Sequence, residues 1–194
     1  MGSSSLVALE LGRSNRNKAE KIVANVFPLV FVVAAIITIT GLAFGDPLLS
    51  LFDAPAVVQD MAGDYLRVVI IGSVFFLLTI TLDPLVRNDG YPMIAMNIMV
   101  ISVLINLVLD YVFVMRMDMG VTGAAFATVI AFSVSAIRLT LHFFSSKAGL
   151  RVSFGSMIFE MQTVKRIMEA GLPSFAMQMS VSVLSFAHNF VLLQ

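Results

Sequence analysis

The chain has 194 residues, of which 59% are hydrophobic and 12% charged, and its mean hydropathy is +0.97. Soluble domains carry about a quarter charged residues, so the composition excludes an ordinary water-soluble fold and points to a chain immersed in membrane lipid. The 12 basic and 12 acidic residues cancel, which removes the field a nucleic-acid partner needs; with no Cys, disulfides, thiolate metal sites and a thiol nucleophile are excluded too.

At the N-terminus no basic region precedes an apolar stretch, so no secretory signal is expected. Gly2 resembles a myristoylation start, but Leu6 stands where Ser or Thr is required, and lipidation is not expected. Five apolar runs then follow at residues 22–44, 67–85, 92–115, 119–144 and 170–194. Each is near the length of about 20 residues that crosses a hydrocarbon core of about 30 Å. None alternates as a barrel strand would, so the expected fold is all-α: a polytopic membrane bundle of about five transmembrane helices. Pro28 and Pro173 fall inside the first and fifth runs, where neighbouring helices can satisfy the freed backbone groups.

Basic residues alternate between the segments that join the runs. Arg13, Arg16, Lys18 and Lys21 precede the first; Asp46, Asp53, Asp60 and Asp64 follow it without a base before Arg67; Lys147, Arg151, Lys165 and Arg166 precede the fifth. By the positive-inside rule the N-terminus, the turn near Arg87 and residues 145–169 are cytoplasmic. Residues 155–169 mix Met157, Ile158, Phe159, Met161, Val164 and Ile167 with Glu160, Lys165 and Arg166, which reads as an amphipathic interfacial helix.

Ser102, Asn106 and Asp110 recur at intervals of four within the third run and so share one helical stripe. Asn and Asp offer hard oxygen ligands, and Asp can carry a proton. An ionisable residue inside a span usually faces a bundle interior or a water-filled cavity. Spacing alone leaves open whether Asp110 does so or meets solvent at the outer interface. The fourth run opens with Gly120, Gly123, Ala124, Ala125 and Ala127, which favours close helix packing. Thr128 follows, and its hydroxyl reaches Asp110 only if the third and fourth runs pair antiparallel; otherwise it bonds its own backbone.

Other features read as structural. Asp83, Arg87 and Asp89 around Gly90 and Pro92 suggest an ion-paired turn at the cytoplasmic surface, and His142 and His188 are too far apart to pair as ligands. The 13 Met and 16 Phe are spread through the runs, where adaptable packing and lipid contact account for them. No phosphate-binding glycine loop, paired metal ligands or nucleophile arrangement is present, and neither a cofactor nor enzymatic activity is expected.

The segments LGRSNRNKAEKI (11–22), VRNDGYPMIAMN (86–97), INLVLDYVF (105–113), MGVTGAAFATVI (119–130) and GLPSF (171–175) resemble, in order and spacing, the multidrug and toxic compound extrusion (MATE) family, in its bacterial MepA-like branch. The resemblance implies a transporter of about twelve helices in two lobes, exporting drugs and organic cations against inward Na+ or H+. It places residues 1–146 in a partial N-terminal lobe, 147–168 in a cytoplasmic inter-lobe connection and 169–194 in the first helix of the C-terminal lobe, so that the missing transporter half is a partner. It also implies a cation or proton site on Asn106, Asp110 and Thr128, with Na+ as the one metal considered and Ser102 on the same polar stripe. The family's acidic ligand on its first helix has no counterpart here. A lipid-linked oligosaccharide flippase of similar shape and an inactive truncated remnant are the alternatives.

The expected topology is tested directly by cysteine labelling, since the chain has no native thiol. An impermeant thiol reagent added outside intact cells should modify a single Cys placed at Asp53 and spare one placed at Lys147; equal labelling of both would contradict the five-span topology.

Overall fold

The computed structural model describes residues 1–50, 55–146, 148–153, 155 and 159–192, and side chains within these except those of Asp46, Leu48, Ala56 and residues 186–192. Asp53, Lys147, Met157, Ile158 and Gln194, and the side chains of Asp46 and His188, therefore lie outside the described residues. Among the described residues seven α-helices follow one another: α1 (Gly2–Gly12), α2 (Arg16–Leu49), α3 (Ala56–Ile71), α4 (Ser73–Asn88), α5 (Pro92–Asp110), α6 (Gly120–Phe144) and α7 (Met161–Leu192). A π-helical segment, Tyr111–Arg116, extends α5. There is no strand among the described residues.

Three helical stretches are long and apolar enough to cross a membrane: Arg16–Gly45, Pro92–Arg116 and Gly120–Phe144. Val57–Ile71 and Ser73–Asn88, which meet at 54°, are together long and apolar enough for a fourth crossing if the bent pair is one span, and otherwise form a re-entrant pair. The expected second span thus begins well before residue 67. Asp60 and Asp64 interrupt its hydropathy, yet both are exposed and cost the helix little. The bend falls at Gly72, where an added Cβ would stand 2.5 Å from a methyl of Val129 on α6, so the residue's lack of a side chain lets the elbow lie against α6.

Among the described residues of 155–169, those from Met161 on belong to a longer helix and not to a separate interfacial one. Helix α7 starts at Met161 and runs unbroken past Glu169, Gly171 and Pro173. Its amphipathic face is real, because Val164 and Ile167 are buried while Lys165 and Met168 are exposed. The buried face meets α1, with Gly2 lying directly on the Ile167 carbonyl. Amphipathicity marks a face to be covered and does not say whether lipid headgroups or another helix covers it.

The core gathers at the end of the bundle that holds the start of α2 and the ends of α4 and α6. Val23, Val26, Phe27, Leu82, Leu139 and Phe143 pack there with under a tenth of their surface exposed. Polar ties close the same end. Asn25 Oδ1 accepts the Glu160 N–H at 2.7 Å, capping α7; Arg166 donates to the buried Glu10 at 2.9 Å; Asn88 donates to the Ser4 carbonyl at 2.8 Å. Asp83 and Arg87 pair at 2.8 Å as expected, but Asp89 departs from the surface turn. Its carboxylate, 2% exposed, accepts N–H donors from Gly149 at 2.9 Å and Leu150 at 2.6 Å and sits 2.8 Å from His142 Nε2. His142 is accordingly structural, and Gly149 must lack a Cβ because one would collide with that carboxylate.

These two pairs should differ sharply on truncation. Asp89→Ala strands several buried donors and should cost about 3–5 kcal/mol, whereas Arg87→Ala removes a solvent-screened pair and should cost far less. Unfolding midpoints in mild detergent should separate the two variants clearly; equal losses would show that Asp89 does not hold this end together.

Candidate functional site

Helices α5 and α6 run antiparallel, and two hydrogen bonds fix how they match. Ser102 Oγ donates to the Ala131 carbonyl at 2.9 Å, and four residues on, Asn106 Nδ2 reaches Thr128 Oγ1 at 3.5 Å. Advancing four residues on α5 while retreating three on α6 is the signature of an antiparallel pair. Small residues permit this approach. Ala125, Ala127 and Ala131 are buried, and a Cβ on Gly123 would stand 3.0 Å from Cβ of Phe113 in the π-helical segment.

The Thr128 hydroxyl donates to Ala124 O of its own helix, 2.9 Å away, and accepts from Asn106; it makes no hydrogen bond to Asp110. Asp110 lies one turn beyond Asn106 on the same stripe, at the last residue of α5, where the helix widens into the π-helical segment. Its Oδ1 atom is buried without a hydrogen-bond partner. A buried, unpartnered carboxylate oxygen is costly in an apolar medium unless it is protonated or meets a cation. π-Helical turns are rare and frequent at functional sites. The structure thus joins Asn106 to Thr128 directly and sets Asp110 next to them without a hydrogen bond to either.

A cavity of about 550 Å³ opens between α4, α5 and α6. Ser102, Asn106 and Thr128 line it, and Asp110 does not. From Ile98 to Asn106 it follows α5 for about 12 Å, at 1.5 Å per residue. Its volume falls in the range of about 300–1,000 Å³ typical of small-molecule sites. Most of the lining is apolar, with Met99 and Phe132 among it, and Phe132 stacks edge-on against Phe76 at 5.1 Å.

Sequence reasoning missed the far wall. Thr79 and Asp83 of α4 line the cavity, and Thr79 also donates to the Phe132 carbonyl at 3.3 Å. Thr79, Asp83 and Arg87 recur at intervals of four, the same spacing that singles out Ser102, Asn106 and Asp110, so the signal was present. It was hidden because charges near the end of an apolar run look like the boundary of that run.

Comparison with known proteins follows the same lines. The MatE family pattern matches residues 1–112. A multidrug export protein MepA of Staphylococcus aureus is 23% identical over 192 residues, covering 99% of this chain and 43% of its own length, and one of Staphylococcus haemolyticus is 26% identical over 161 residues, covering 83% and 36%. Among solved structures, a multidrug resistance MATE family transporter in its inward-facing conformation matches at TM-score 0.86 and 27% identity, covering 94% of this chain and 42% of its own. Its outward-facing counterpart matches at 0.88 and 27%, covering 95% and 41%. The chain therefore spans less than half the length of these relatives. With the family pattern covering more than half of its residues and the helical arrangement matching in both conformations, the chain belongs to the MatE family of membrane transporters.

Proposed function

We propose that the chain forms part of a secondary active antiporter that exports drugs or organic cations in exchange for Na+ or H+. The observation that carries the reading is the buried, unpartnered Oδ1 of Asp110, one helical turn from the Asn106–Thr128 contact. A proton or a small hard cation at Asp110 would relieve the stranded oxygen, and the side-chain oxygens of Asn106 and Thr128 are of the type that solvates Na+. Loss of that ion restores the charge on a carboxylate whose Oδ1 is buried without a partner. The site's occupancy therefore has a direct electrostatic effect on the packing of α5, α6 and whatever helix covers them.

Secondary transporters work by rocking one bundle against another around a site near the membrane midplane. The chain matches an inward-facing and an outward-facing relative about equally well. That supports a unit that keeps its internal packing while the whole transporter moves. In this reading residues 1–146 belong to one lobe, 147–168 to the cytoplasmic connection and 169–194 to the first helix of the other lobe. The basic end of the bundle faces the cytoplasm, across the plasma membrane from Asp60 and Asp64, and a further acidic ligand comes from a helix outside these residues.

Asp110→Asn keeps the volume and removes the charge. In a full-length transporter containing this segment it should lower cation-coupled drug efflux by about tenfold or more, the equivalent of one lost charge-assisted contact, while leaving membrane insertion and expression near wild type. Efflux in inverted vesicles under an imposed Na+ or H+ gradient measures it. Wild-type transport in the variant would reduce Asp110 to an interfacial residue.

A further inference from the structure

Asp83 carries the one ionisable side chain in the cavity wall, which also includes Met1 and its α-amino group. Asp83 stands on α4, four residues beyond Thr79 towards the α4–α5 turn, and Pro84 and Leu139 line the same cavity. Its carboxylate is held by Arg87 alone among the contacts seen here, with Nε to Oδ2 at 2.8 Å and Nη2 to Oδ1 at 3.4 Å. Arg87 does not line the cavity, and its side chain is 43% exposed against 26% for Asp83. One partner of the pair therefore faces the cavity and the other faces outward.

We propose that Asp83 is the charge-selecting residue of the cavity and that Arg87 is its resident competitor. The inference rests on the export reading above and assigns the group that sets charge preference there. A cation entering an apolar pocket loses its hydration and needs a counter-charge there. Asp83 supplies it, while the Phe132 ring offers a face for cation–π contact and Met99 a surface that repacks around different shapes. An ion pair as exposed as Asp83–Arg87 is weak, and the guanidinium can turn to water or phospholipid headgroups when a substrate takes its place. The exchange conserves charge in the cavity: the carboxylate is paired before and after. Neutral molecules of the same size gain nothing from it, and anions are repelled by the same group.

The test is equilibrium binding to the 194-residue chain in lipid nanodiscs, with two probes of similar shape: the cation tetraphenylphosphonium and the neutral triphenylphosphine oxide. Asp83→Asn should weaken the cation by about tenfold, the effect of one charge-assisted contact, and leave the neutral probe unchanged. Arg87→Gln, which frees the carboxylate, should tighten the cation and again spare the neutral probe. Unchanged cation binding in Asp83→Asn overturns the proposal. If that variant weakens both probes together, Arg87→Gln decides: tighter cation binding upholds the role of Asp83, and unchanged or weaker binding overturns it. Failure of the wild-type chain to bind the cation also overturns it, while the Asp110 efflux experiment stays independent and judges the export reading separately.

Discussion

The match between α5 and α6 is the constraint on which the site depends. Lipid offers helices little hydrophobic reason to associate, so small residues and inter-helix hydrogen bonds decide where they settle. Ser102 to Ala131 and Asn106 to Thr128 are two such bonds, and together they set both the rotation and the height of α5. A slip of one residue would turn the polar stripe by about 100° and break both contacts. Helix α6 is itself held from the other side, where the Gly72 elbow lies against Val129. The cavity is the space left when α4 and α5 each find their place on this shared helix.

The two ends of the bundle are held by different means. At the end where α4 leads into α5, a buried carboxylate, an asparagine cap and the Glu10–Arg166 pair bind chain segments that are not adjacent in sequence. Towards the other end α5 shows Val103, Leu107 and Val108 to its surroundings, and little of that helix is buried. Charge-bearing groups can be spent on tight fastening where water and headgroups are near. In the hydrocarbon region the same groups would be expensive, and the helices rely on shape.

How much of this was legible in the sequence depends on how local the signal is. Long apolar runs announced α2, α5 and α6, and the four-residue spacing announced the stripe of Ser102, Asn106 and Asp110, because both are properties of one helix. The Gly72 elbow was not legible: Asp60 and Asp64 look like loop residues unless one knows that the end of α3 on which they sit is exposed. The pairing of Asp89 with His142, 53 residues apart, could not be read either, since nothing in either residue names the other. Asp83 lies between these cases. Its spacing from Thr79 and Arg87 is local information, but its exposure to a cavity exists only once α6 is in place.

The ties at the α4–α5 end also order the making of the protein in time. Asn25 waits for Glu160, 135 residues later, Arg16 for Gly149, 133 residues later, and Glu10 for Arg166, 156 residues later. At about 5–20 residues per second of synthesis, the earliest helices spend many seconds in the bilayer before their partners emerge. During that interval Glu10 lacks Arg166, its partner in the folded bundle. The growing chain must keep this end near water until α7 arrives, which makes the arrival of α7 the moment at which the bundle can shut.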